Sequence, residues 1–431
     1  MKRPSARSTL GNGLQVVAVE APGAPLAEIR LVVPYALTDP REAPVRERLA
    51  ARLGTASTTR DRQAVADRTA DLGAELSTVV TVEQLLLSVS VLSEGLPGAL
   101  ELLGDLLVRP AYREDELPSP VRRSVAGHVP AAGPRTVLRR AVLTHAFGPH
   151  PLAAEPAPAP PSPVTADELY ALHRRAVVPA GSVLLVMTGA APDHVLQLVT
   201  EHLGPWTGGP SGLVLPPFRR AEPTPGRLAL QHPGAGQALL LTAGPAAPST
   251  DPGHAALHLA RLVLGGHSSS RLTRRLRERH ALAYAVSADL RENAAGSWLE
   301  IECAGAPGTA DRMAAEVGDV LRELADDGPT PRETERVRRY AAGFTRFALA
   351  TRAEEASALA GFVARGLDVD WLPEYAEALG AVTHSQVAEA AAGFLQPART
   401  LTATIDDTAT IDDTATADDT ATADDQEGTA R

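Results

Sequence analysis

The strongest constraint on this 431-residue chain is that it repeats itself. The stretch VTADELYALHRRAVVPAGSVLL, from Val164, aligns without a gap on VTHSQVAEAAAGFLQPARTLTA, from Val382. Valine, threonine, proline and alanine match at fixed places, with apolar positions matching between them. Gly104-Asp105-Leu106-Leu107 likewise falls on Gly318-Asp319-Val320-Leu321. The offsets are 218 (164 to 382) and 214 (104 to 318), nearly equal although the two matches lie far apart in the chain. Such a period predicts a duplicated domain of roughly 200 residues.

Each copy reads as strands, then helices, then more strands, which predicts an α+β fold of two tandem domains, each an antiparallel sheet packed with helices. In the first copy, residues 10–40 read as two strands with a turn at Pro22–Gly23. A helix follows with Val45, Leu49 and Leu53 on its buried stripe and Pro44 in its first turn. Further helices are expected at 61–72, 96–107, 165–175 and 194–203, with strands between 73 and 92 and at 182–188. The Pro/Gly-rich segment 204–226 reads as a linker. The expected division is 1–203, linker 204–226, 227–405, and a tail 406–431 built on a DDTAT repeat, too poor in apolar residues to pack.

The formal charge of −11 arises mostly in that tail, since residues 401–431 hold eight Asp, one Glu and one Arg. The body carries no basic excess of the kind that binds nucleic acid. No apolar run approaches a membrane span, so neither a membrane nor a nucleic acid is an expected partner, and a cytoplasmic location is the expectation. Cys303 is the single cysteine, which leaves no internal disulfide and no thiolate metal site.

The stretch of the second copy that carries chemistry is Leu264–Leu290, LGGHSSSRLTRRLRERHALAYAVSADL. Gly265 and Gly266 end an apolar helix, and Ser268 or Ser269 is placed to cap the next one. Leu272 and Leu276 share its buried face, amid Arg271, Arg274, Arg275 and Arg277. From Leu282 the apolar period changes to two, which predicts a strand with Leu282, Tyr284 and Val286 on one face. Arg277 and Tyr284 both donate hydrogen bonds, so together they suit a peptide carbonyl or a developing oxyanion. The bland alternative leaves Arg277 solvated and Tyr284 packed between Leu282 and Val286. His254 and His258 stand four apart on a helix, a metal-compatible spacing that lacks a glutamate and a third ligand.

GGHSSSRLTRRLRERHALAYAVS closely resembles the second-domain signature of the insulinase/pitrilysin family of metallopeptidases, and Leu10-Gly11-Asn12-Gly13-Leu14 and HAFGPHPLAAEP resemble further family segments. The resemblance spans about residues 8 to 405 and implies the same tandem architecture. In active members H-x-x-E-H on a first-domain helix holds zinc through its histidines, while the glutamate activates water. The matching residues here are Pro44, Val45, Arg46, Glu47 and Arg48, so only the glutamate is kept. The family's third ligand, a glutamate, falls near Ala126–Gly127, and no acidic residue occurs between Glu116 and Glu155. This chain is therefore expected to hold no metal or other cofactor, with Glu47 a solvated relic.

The resemblance implies that Arg277 and Tyr284 face a zinc site in another domain. The pattern resembles the zinc-less subunit of a two-chain bacterial peptidase, with zinc in a partner chain, Arg277 on the peptide backbone and Tyr284 on the oxyanion. On that expectation the chain is inactive alone and completes a heterodimeric peptidase acting on peptides. The competing expectation is an inactive structural or peptide-binding protein of the same fold. Whether the partner is a related chain or a second copy stays open at this level.

Overall fold

The structure is a computed structural model that describes residues 3–113, 133–154, 164–210 and 213–406, apart from the side chains of 344–348. The expected third ligand position near Ala126–Gly127, the proline-rich stretch 156–163 and the acidic repeat lie outside the described residues.

Strands β1 (Ser5–Thr9), β2 (Gln15–Glu20), β3 (Leu26–Pro34), β4 (Glu75–Val80), β5 (Gln84–Leu92) and β6 (Val183–Thr188) form one sheet in the order β1-β2-β6-β3-β5-β4. A second sheet, β7-β11-β8-β10-β9, is built from β7 (Gly226–Leu230), β8 (Ala238–Pro245), β9 (Ala285–Asn293), β10 (Gly296–Gly305) and β11 (Leu401–Ile405). The two share one plan. In each, a single parallel pair (β2 with β6, β7 with β11) sits beside an otherwise antiparallel ladder, and the closing strand enters next to the opening one. The duplication read from the sequence is thus visible as matched strand order, with β1 an addition to the first copy.

The helices are α1 (Ala43–Arg52), α2 (Arg62–Asp71), α3 (Leu96–Val108), α4 (Pro134–Phe147), α5 (Ala166–Ala176), α6 (Pro192–Leu203), α7 (His254–Gly265), α8 (Ala310–Asp327), α9 (Pro331–Ala348), α10 (Arg352–Ala364), α11 (Trp371–Ala381) and α12 (His384–Phe394). The repeated segments become α5–β6 and α12–β11. Each of those helices opens on a capping box, Thr165 with Glu168 and Thr383 with Gln386, which satisfies backbone N–H groups that a helix start leaves unpaired.

Each sheet is apolar on both faces. On one face of the first, Val16, Ala18, Leu184 and Val186 pack with α1, α3, α5 and α6. On the other, Val17, Val19, Val32, Leu185 and Met187 meet Ala356, Leu359, Ala360 and Val363 of α10, a helix from the second half. The second sheet mirrors this. Leu240 and Ile301 join α7, α8 and α12 on one face, while Leu239, Leu241 and Ala243 meet Leu138, Val142 and Phe147 of α4, from the first half. The halves therefore exchange helices, and both exchanged elements, α4 and α10, were missing from the expected sequence of elements.

The segment between the sheets is held down at Trp206 and Phe218. Trp206 is buried and donates from Nε1 to the Val177 carbonyl (3.2 Å), and Phe218 stacks on Phe147 with ring centres 4.2 Å apart.

Candidate functional site

The stretch around Arg277 is shaped by an unusual helix. Ser270, one residue beyond the expected caps, accepts from the Thr273 N–H, and Thr273–Arg279 then winds as a π-helix. Leu272 and Leu276 are fully buried, as their spacing requires. The Leu276 carbonyl accepts from both the Leu282 and the Ala283 amides (2.7 and 3.2 Å), and Ala281 between them has φ +50°. This turn overrides the period-two pattern. The strand begins at Ala285 rather than Leu282, so Leu282 is buried whereas Tyr284 is 58% exposed. The expected shared face of Leu282, Tyr284 and Val286 does not form, and Tyr284 is not a packing residue.

The arginines separate by environment. Arg271 and Arg274 both bind Glu333, and Arg275 binds Glu323, at 2.8, 3.1 and 2.9 Å. These pair the π-helix to α8 and α9. Arg277, like Arg279 at the end of the π-helix, has no hydrogen bond or ion pair among the described residues. It is exposed and lines a recess of about 270 Å³ with Gly265, His267, Ser268 and Ser287. The Tyr284 hydroxyl, also at the surface, donates to the Gln237 side chain. A guanidinium and a phenol are thus presented outward from one turn.

Gly305 holds that turn against β10, because a Cβ there would lie 2.0 Å from the Leu282 carbonyl oxygen. Gly305→Ala is expected to lower stability by about 1–3 kcal/mol, as overpacking against rigid backbone does. Urea unfolding checks this; an unchanged midpoint would contradict the close approach.

The helix matching the family's zinc motif lies elsewhere. Pro44 offers no ligand atom, Arg48 is a cation, and Glu47 is exposed, so the donor set does not fit zinc. Between them Arg46 turns inward. Its guanidinium donates to the Tyr35 and Thr81 carbonyls and lies 4.7 Å above the Tyr35 ring, while the Tyr35 hydroxyl donates to the Arg46 carbonyl (2.9 Å). Among the described residues no group of three His, Cys, Asp or Glu is placed to hold a metal.

Two residues beyond Thr81, the Glu83 carboxylate accepts from the Ala294 amide (2.8 Å), at the tip of the β9–β10 hairpin. Tyr284 is at the other end of β9, ten residues and roughly 30 Å away at about 3.3 Å per residue. Arg277 and Tyr284 thus stand at the two ends of one turn in the second half, whereas Pro44, Glu47 and Arg48 belong to α1 of the first.

In the second half α7 takes the place that α1 takes in the first, each following the strand next to the closing one. His254 and His258 accordingly stand 210 residues after Pro44 and Arg48. His254 is buried and its Nδ1 pairs with the Tyr375 hydroxyl (2.7 Å). The Arg261 guanidinium lies 3.4 Å from the His258 ring. Burial, reinforced by that cation, pushes His258 down to about 3. The Arg261 cation at that distance makes this a poor place for a metal ion.

Comparison with known proteins bears on the sequence and the fold. Residues 163–340 match the family model described as the Peptidase M16 inactive domain. The chain is 26% identical over 345 residues to an uncharacterized zinc protease of Mycobacterium leprae, covering 76% of this chain and 75% of that protein. A peptidase M16 inactive domain from Pseudomonas fluorescens superposes with a TM-score of 0.77 at 20% identity, covering 93% of this chain and 97% of that one. A protease from Helicobacter pylori gives 0.79 at 16%, covering 94% and 100%. Sequence and fold thus both point to M16, the insulinase family, as the class this chain resembles.

Proposed function

We propose that this chain is the zinc-less subunit of a two-chain metallopeptidase, closing the chamber around a peptide and presenting Arg277 and Tyr284 to a zinc site on a related partner chain. The observation that carries the reading is the sorting of the arginines. Three of the five are spent on ion pairs, whereas Arg277 and Arg279 are left exposed, and Arg277 also lines a recess at the turn that ends in an exposed tyrosine. Two donors aimed outward serve a reacting group that another molecule brings. Arg277 binds the substrate backbone, and Tyr284 donates to the oxygen that gains charge as the peptide bond is attacked. Activation of the attacking water belongs to the partner's zinc.

The test is peptide cleavage in the presence of zinc, by this chain alone and mixed with an M16 chain that carries H-x-x-E-H. Activity confined to the mixture is the expected result. Absence of both activity and association would favour an inactive scaffold, a reading for which the existing Tyr284–Gln237 hydrogen bond speaks. Activity from this chain alone would overturn both.

A further inference from the structure

A cavity of about 1170 Å³ lies between the two halves, away from Arg277 and Tyr284. One wall is the polar part of the first sheet (Arg30, Ser88, Ser90), and the other is formed by α7, β9 and α11. Three features of the lining point to a ligand.

The first is aromatic. The chain has only fifteen aromatic residues (six Tyr, six Phe, three Trp), yet Tyr340, Phe362, Trp371 and Tyr375 all line this cavity. Trp371 stacks on Tyr375 with centres 4.6 Å apart and planes 16° from parallel, and Phe362 lies 4.7 Å from Trp371. The second is a pair of unsatisfied groups. Arg261 Nε and Ser249 Oγ are buried without a hydrogen-bond partner, and Ser249 is 8% exposed. Each such group costs roughly 1–3 kcal/mol until something pairs with it. The third is charge of both signs. Asp289 and Glu292 line the same wall as Arg261 and are loosely engaged there, Asp289 lying 3.8 Å from the Arg261 guanidinium and Glu292 accepting from the Ser249 amide (3.1 Å), whereas Arg30 is bound to Glu28 and to backbone carbonyls.

A metal ion does not suit this lining, with Arg261 3.4 Å from His258. Nor does a polyphosphate, which Asp289 and Glu292 would repel. A zwitterion with a ring matches every feature. We propose that the cavity binds a free amino acid or short peptide bearing an aromatic side chain. Its carboxylate takes the Arg261 Nε donor, its ammonium group faces Asp289 and Glu292, and its ring lies along the Trp371–Tyr375 stack. The volume admits a dipeptide with room to spare, and Tyr340, 40% exposed, marks the mouth.

The probe is alanyl-phenylalanine, titrated into the full chain by calorimetry and followed by tryptophan emission. Trp206 and Trp298 are 2% and 6% exposed and sit in the cores, which leaves Trp371 as the reporter. Saturable binding is expected. Amidation of the C-terminus or acetylation of the N-terminus should each weaken it at least about tenfold, the scale of a lost charge-assisted hydrogen bond. Arg261→Gln should abolish the preference for the free carboxylate over the amide, and Ser249→Ala, which removes a buried unpaired hydroxyl, should weaken binding without lowering stability. No saturable binding, or equal binding of free and capped dipeptides, would overturn the proposal. The measurement needs no partner chain, so its failure leaves the peptidase reading untouched.

Discussion

Tyr284→Phe is expected to reduce peptide turnover by the two-chain complex about 100- to 1000-fold, the usual cost of removing one oxyanion donor. Stability should hardly change. The hydroxyl lies at the surface, where its single bond to Gln237 exchanges readily for water. KM should move little if the phenol acts only as charge develops. Gln237→Ala separates this role from a structural one, because it frees the hydroxyl without deleting it. Turnover should survive Gln237→Ala and fall in Tyr284→Phe. Equal losses in both would mean that the pair serves to hold the turn, and an active Tyr284→Phe complex would remove the tyrosine from the chemistry.

Much of this site was legible in the sequence. The substitution of Pro44 and Arg48 for ligands is a matter of side-chain chemistry, and no folding detail can restore a donor atom to proline. The buried positions of Leu49, Leu53, Leu272 and Leu276 followed from helical spacing and are observed. The conformation of residues 281–284 did not follow. Alternating apolar and small residues describe a strand only while φ stays negative, and the φ of +50° at Ala281, with two amides gathered on one carbonyl, breaks that condition. The exchange of α4 and α10 was not legible either. An apolar face states that it must be covered, not by which sheet. One signal pointed to the interdomain cavity, namely the concentration of a sparse aromatic set between Tyr340 and Tyr375, but its meaning depends on what those rings surround.

That exchange underlies the second large effect. The first half, residues 1–210 produced alone, is expected to be insoluble or to bind hydrophobic dyes, and to become soluble when co-produced with 213–406. Without α10 the side chains of Val17, Val19, Val32, Leu185 and Met187 lose their cover. At about 1.5–3 kcal/mol for each large side chain the loss is roughly 10 kcal/mol, comparable with the whole stability of a domain. Polar ties go as well, since Arg30 Nε donates to Ser357 (2.9 Å), Arg352 to the Ala24 and Leu26 carbonyls (2.8 and 2.9 Å), and Arg3 pairs with Glu355 (2.8 Å). A monodisperse first half with a cooperative unfolding transition would refute this account.

The same helix sets a clock on biosynthesis. The last strand of the first sheet ends at Thr188 and its cover begins at Arg352. At about 5–20 residues per second a ribosome needs roughly 10–30 s to make the residues between them. For that interval the nascent first half displays a bare apolar sheet, within reach of neighbouring chains on the same message. Translation speed downstream of Thr188, and the supply of chaperones during that pause, would then govern how much of the protein a cell obtains.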